Sequence, residues 1–209
     1  CLVSFQALAM SQKDEIELGQ KEHQKMIAQF GIYKDAELAA YVDRIGQKIA
    51  KVSSRPELEY TFTVLDDEMV NAMALPGGFV YVSRGILARM NSESELAAVL
   101  GHEIAHVTQK HAIRNQNKGK FLNAMTLIAA VVTQQGALFE LGDIASGILM
   151  KGYGRDFELE ADEVGAGFMA KAGYSPDAMI KTIDILKAND KLEYAHARIE
   201  QREPRVYHG

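Results

Sequence analysis

The sequence predicts an α+β fold, mostly helical, with a small and mainly antiparallel sheet. Three observations predict it: helix-start signals recur along the chain, strand patterns are confined to residues 58–82, and everything after them reads as helix again. Taken in order, Ser11-Gln12-Lys13-Asp14 resembles a capping box that opens a helix running to Phe30 and stopping at Gly31. Asp35 caps a second helix, in which Leu38, Val42, Ile45 and Ile49 follow helical spacing, and Pro56 marks the end of that helical pair. Leu58, Tyr60, Phe62 and Val64 alternate with Glu59, Thr61 and Thr63, the period-two pattern of a strand with one face buried. Residues 71–82 read as two strands around a Pro76-Gly77-Gly78 turn. Ser92 with Glu95 forms a capping box for a helix reaching about Ala112. Gly173 closes a helix carrying residues 156–172, and Ser175-Pro176 opens the last one. With no repeat and no linker, residues 1–209 are read as a single domain.

Composition narrows the function classes. At 209 residues, with 47% hydrophobic and 24% charged residues, the chain is long enough and apolar enough to bury a core of its own. A net charge of -5 leaves no basic footprint for phosphate neutralisation, so nucleic acid is not an expected partner. The single cysteine, Cys1, cannot close an intrachain disulfide or build a thiolate cluster, so any metal must be held by histidines and carboxylates. A cysteine at position one is also where a bacterial lipoprotein begins once its signal is removed, and equally where a longer chain could have been cut. On the first of these readings the protein sits in the periplasm or envelope, held to a membrane only by lipid on Cys1. The uncharged window from Phe121 to Phe139 is interrupted by Asn123, Thr126, Thr133, Gln134, Gln135 and Gly136. It reads as a buried or surface-lying helix and not a transmembrane span.

The stretch that carries chemistry is His102-Glu103-Ile104-Ala105-His106, an H-E-x-x-H on a predicted helix. Four residues advance a helix by about 400°, so the two imidazoles lie about 40° apart on one face and can grip one ion. Catalytic zinc usually takes three protein ligands and keeps a fourth position for water. His111 would lie about half a turn away on a continuous helix, and Gln109 and Ala112 exclude a metzincin extension, so the third ligand must be a carboxylate from elsewhere. The nearest dense acidic segment holds Glu158 and Asp162 on one helical face at i, i+4, while Glu160 points the other way. That pair suits one metal ligand and one carboxylate that orients a ligating imidazole through its free N–H.

These residues resemble the zinc metallopeptidases typified by the CAAX prenyl protease and the HtpX heat-shock protease. The helix from His102 to His111 resembles that family's H-E-x-x-H-V helix, and Glu158-Leu159-Glu160-Ala161-Asp162 resembles its E-x-x-A-D. Glu15–Gly19 and Tyr41–Gly46 further resemble the soluble, BepA/LoiP-like lipoprotein branch. The resemblance implies a gluzincin-type metalloprotease domain binding Zn2+ through His102, His106 and Glu158, with Glu103 as general base and Asp162 in support. It also implies that the edge strand Asn71, Ala72, Met73, Ala74, Leu75 lies beside the substrate. The implied substrates are extended or misfolded polypeptides, cleaved in envelope quality control; the alternative is a zinc-containing, chaperone-like binding module with latent or no proteolytic activity. The branch's Thr-His-Pro tail segment is absent around Tyr194–Ile199, so His196 and His208 read as surface residues.

Overall fold

The computed structural model describes residues 10–116 and 153–204. Cys1 and the window from Phe121 to Phe139 lie outside them. Among the described residues the order is α1 (Gln12–Phe30), α2 (Ala36–Ala50), β1 (Thr61–Leu65), β2 (Ala72–Leu75), β3 (Phe79–Ser83), α3 (Arg84–Leu87), α4 (Glu93–Thr108), α5 (His111–Gln116), α6 (Arg155–Lys171) and α7 (Asp177–Glu200). The starts of α1, α2 and α4 follow from their caps. Ser11 Oγ accepts from the Asp14 amide, Asp35 Oδ1 from Leu38 and Ser92 Oγ from Glu95, each satisfying an amide the helix cannot. At α4 the reciprocal bond goes to the residue before the cap, Glu95 Oε2 accepting from the Asn91 amide at 2.6 Å.

The three strands lie in the order β1-β3-β2, with β1 parallel and β2 antiparallel to β3. The sheet is therefore mixed, and the antiparallel expectation holds only for the hairpin around Gly77 and Gly78, both at positive φ. β1 also starts later than the alternation from Leu58 implied, and four of its five residues are buried. One face of the sheet, carrying Phe62, Val64, Ala72, Ala74, Val80 and Val82, packs into the main core. The other carries Leu65, Leu75 and Tyr81, which close onto Met26 of α1. The alternation in β1 therefore does not mark an open face, and Thr63 on its polar side is itself buried.

α4 is the central element. Buried residues run along nearly its whole length, from Glu95 to Thr108. It packs on α2, α6, α7 and the hairpin, so its side chains are held from every side. No described helix is long and apolar enough to cross a membrane.

A buried ion cluster ties α1 to this core. Glu15, 1% exposed, accepts from Arg55 Nη1 at 2.7 Å and Nη2 at 3.2 Å, lies 3.1 Å from Lys110 Nζ, and accepts from the Gly77 amide at 3.4 Å. One carboxylate thereby joins α1, the segment after α2, the hairpin turn and Lys110 just past the end of α4.

Candidate metal centre

α4 carries His102 and His106 at i, i+4, and α6 brings Glu158 against them. Their donor atoms all lie within 4.8 Å of one another. His102 Nε2 and His106 Nε2 approach to 2.9 Å, and Glu158 Oε2 lies 3.3 Å from the first and 3.8 Å from the second. Two nitrogen lone pairs and a carboxylate oxygen converging on one point, without thiolates, are a donor set that suits a divalent metal ion. The structure thus brings together the residues the sequence nominated. Asp162 Oδ1 stands 2.9 Å from His102 Nδ1, which leaves Nε2 facing the convergence point.

α6 can come this close because two glycines cross. A Cβ on Gly165 would lie 2.9 Å from the backbone carbon and oxygen of Gly101 and 3.0 Å from the His102 nitrogen. Gly165→Ala is expected to destabilise the protein by about 1–3 kcal/mol through overpacking. Gly167→Ala, on the exposed side of the same helix with nothing within 4 Å, should instead gain up to about 1 kcal/mol of helix propensity. Urea denaturation of the two variants checks the opposite signs, and equal effects would refute the tight crossing.

Three further side chains complete the surroundings. Glu103 is 3% exposed and lines a cleft of about 280 Å³ together with His102, Glu158 and Asp162. Met179, Ile183 and Leu186 of α7 supply part of its apolar wall. Tyr153 stacks on His106 with ring centroids 4.4 Å apart, donates its backbone N–H to Glu158 Oε1 at 3.0 Å and its hydroxyl to the Ala74 carbonyl at 3.3 Å. His111 is fully buried with Nδ1 2.8 Å from His106 Nδ1.

Neither Tyr153 nor His111 was singled out in the sequence as part of the site. Helix α4 was expected to continue to about Ala112, which would have carried His111 to the far side; it ends at Thr108, and Lys110 turns the chain at φ 55. No sequence signal marks Tyr153 beyond its place just before the acidic segment. His196 is exposed, as read, and His208 lies outside the described residues.

Burial opposes charge throughout the cluster, and the partners decide the outcome. At His102 burial favours the neutral ring, but Asp162 and Glu158 overcome it and raise its pKa to about 10. His106 has less help, and burial takes it down to about 4. Glu158 resists its own burial, since the two imidazoles hold it well below the usual carboxylate range. Burial pushes the Glu103 carboxyl up to about 7, His102 pulling down and Glu158 adding to the rise. A cation at the convergence point would favour neutral imidazoles and an ionised Glu158, since metal and proton compete for the same lone pairs.

The sequence profile of peptidase family M48 matches residues 36–205. Among similar proteins, the chain is 33% identical over 138 residues to the mitochondrial metalloendopeptidase OMA1 of Schizosaccharomyces pombe, covering 66% of this chain and 41% of that protein. It is 25% identical over 190 residues to the beta-barrel assembly-enhancing protease of Escherichia coli, covering 87% and 39%. It is 29% identical over 164 residues to metalloprotease YcaL of Escherichia coli, covering 74% and 63%. The chain thus spans about two fifths of the first two relatives and somewhat under two thirds of the third.

Proposed function

The chain belongs to peptidase family M48, and on that premise we propose that it is a zinc-dependent endopeptidase cleaving extended or misfolded polypeptides in the quality control of envelope proteins. The observation that carries this reading is a convergent His102–His106–Glu158 triad with a buried carboxylate, Glu103, that belongs to the same cleft but not to the triad. A purely structural site would have no use for that carboxylate. The names of the relatives, a metalloendopeptidase and a beta-barrel assembly-enhancing protease, support the reaction class and the envelope setting.

Zinc, when bound by His102, His106 and Glu158, supplies a Lewis acid that polarises the scissile carbonyl and acidifies water. Glu103 takes the proton from the attacking water and delivers it to the leaving nitrogen as the C–N bond breaks. Its burial raises its proton affinity, which suits a group that must accept and then release one. Asp162 holds the His102 ring with Nε2 toward the centre.

Substrate docking along β2 is supported by its place at the edge of the sheet. The Ser83 amide donates to the Asn71 carbonyl, and antiparallel ladders alternate, so Asn71, Met73 and Leu75 face β3 while the backbone groups of Ala72 and Ala74 face outward. An extended chain could add there as a further strand. Proline at 72 or 74 removes an outward N–H without breaking the β2–β3 ladder. Each of Ala72→Pro and Ala74→Pro is expected to lower kcat/KM about two- to tenfold, the worth of one hydrogen bond, with zinc content unchanged. Unaltered cleavage in both variants would remove β2 from the substrate site.

The proposal is tested by elemental analysis and by cleavage of an unfolded protein such as reduced, carboxymethylated casein. About one zinc per chain is expected, with activity lost to a chelator and restored by Zn2+. A protein that holds zinc and cleaves nothing would favour the binding module over the peptidase. One that holds no divalent metal would refute both.

A further inference from the structure

We propose that His111 is a positioning residue for the metal centre, accepting a hydrogen bond from His106 Nδ1–H and passing the constraint on to Glu160 and Arg114. The proposal rests on the zinc reading above. A ligating histidine needs a partner on its other ring nitrogen to fix its tautomer and the direction of its lone pair, and that partner is ordinarily a carboxylate, a carbonyl or water. At His102 the partner is Asp162. At His106 the nitrogen in place is another imidazole, His111 Nδ1 at 2.8 Å.

The hydrogen-bond sense follows from elementary chemistry. If His106 Nε2 offers its lone pair to a metal, Nδ1 carries the proton and donates. His111 Nδ1 must then accept, so its own proton lies on Nε2, which faces Glu160 Oε2 at 3.3 Å, off the line of an aligned hydrogen bond. Arg114 Nη1 donates to both Glu160 oxygens, at 3.1 and 2.9 Å. Glu160 ends the run as an acceptor, facing His111 Nε2 on its inner side and held by Arg114 from the surface.

The packing is specific to this arrangement. His111 stacks on Phe157 with centroids 4.6 Å apart and 26° between planes, while the Arg114 guanidinium lies 4.5 Å above the other ring of that pair. The chain reaches this position only through the turn at Lys110, whose positive φ lies two residues past the end of α4. Lys110 is in turn held by Glu15. The same bend that interrupts the helix delivers the imidazole.

The test is zinc affinity, measured by competition with a chromophoric chelator on the parent, His111→Phe, His111→Gln and Glu160→Ala, with circular dichroism to show that each is folded. His111→Phe keeps the stack and removes the acceptor, and should weaken zinc binding about 10- to 100-fold. His111→Gln offers an amide oxygen to His106 and should recover most of that loss. A merely structural role predicts no such rescue. Glu160→Ala lies at the half-exposed end of the chain of partners and does not depend on the core tolerating a change; it should weaken zinc binding in the same direction by less. The proposal is overturned if His111→Phe binds zinc within about twofold of the parent, or if Gln is no better than Phe. Should His111→Phe fail to fold, Glu160→Ala with parental affinity overturns it. A parent without zinc affinity instead refutes the metal reading, and this proposal falls with it.

Discussion

Glu103→Gln is expected to lower peptide cleavage by about 10²- to 10⁴-fold, the usual worth of a general base, while zinc content stays at the parental level. The amide keeps the volume of the side chain and leaves all three donors in place. It cannot take a proton from water. Glu158→Gln should give the opposite pattern of metal content, because a neutral amide is a much poorer zinc ligand than a carboxylate that both imidazoles keep ionised. Its cleavage is lost because the metal is lost, and excess Zn2+ should restore part of it. Elemental analysis and cleavage of an unfolded chain, run side by side, separate the two roles. Undiminished cleavage by Glu103→Gln would show that the base is elsewhere.

The largest effect on stability is expected from Glu15→Ala. It removes the counter-charge from Arg55, which is 9% exposed, and from Lys110, while taking the acceptor from the Gly77 amide. Breaking a buried pair from one side typically costs about 3–5 kcal/mol, since the remaining charge stays buried without a partner. The cluster also fixes a pH dependence. Burial raises the Glu15 pKa, but Arg55 and Lys110 outweigh it and hold the carboxyl below its ordinary value. A carboxylate with a depressed folded pKa contributes stability that is complete above its unfolded pKa and is lost as pH falls through the folded one. The parent should therefore lose more stability than Glu15→Ala between pH 7 and acid conditions. Urea midpoints across that range measure the difference, and parallel curves would mean the cluster contributes no pH-dependent term.

Much of this architecture is local and was legible for that reason. A Ser11, Asp35 or Ser92 cap needs only the amide three residues on, so each helix start could be read from a short window. The His102–His106 pair and the Glu158–Asp162 pair depend on helical period alone, and the structure brings the first three donors to one point with Asp162 behind His102. The misses are non-local. The turn at Lys110 answers to Glu15, far back in the sequence, so nothing in the neighbourhood of His111 announced that the helix would break before it. The alternation running into β1 suggested an open polar face, whereas Leu65 on that face closes onto Met26 of α1. α3 is too short to show a period, although its Ser83 cap, accepting from the Ile86 amide, stands in the sequence like the others. Gly165, in a helix, reads as a weak helix former until its contact with Gly101 gives it a reason.

The crossing of α4 and α6 at Gly101 and Gly165 has a bearing on when such an enzyme becomes active. A ribosome delivers His102, Glu103 and His106 well before Glu158, and until α6 docks the pair of imidazoles offers an ion only two of its three donors. Unfolded chains rarely hold a preformed metal site, so metal acquisition is coupled to completion of the fold. On the zinc reading, the nascent protein is inert at the stage when its own unfinished segments would be the nearest unfolded polypeptide. The order in which the ligands arrive thereby links catalytic competence to the docking of α6.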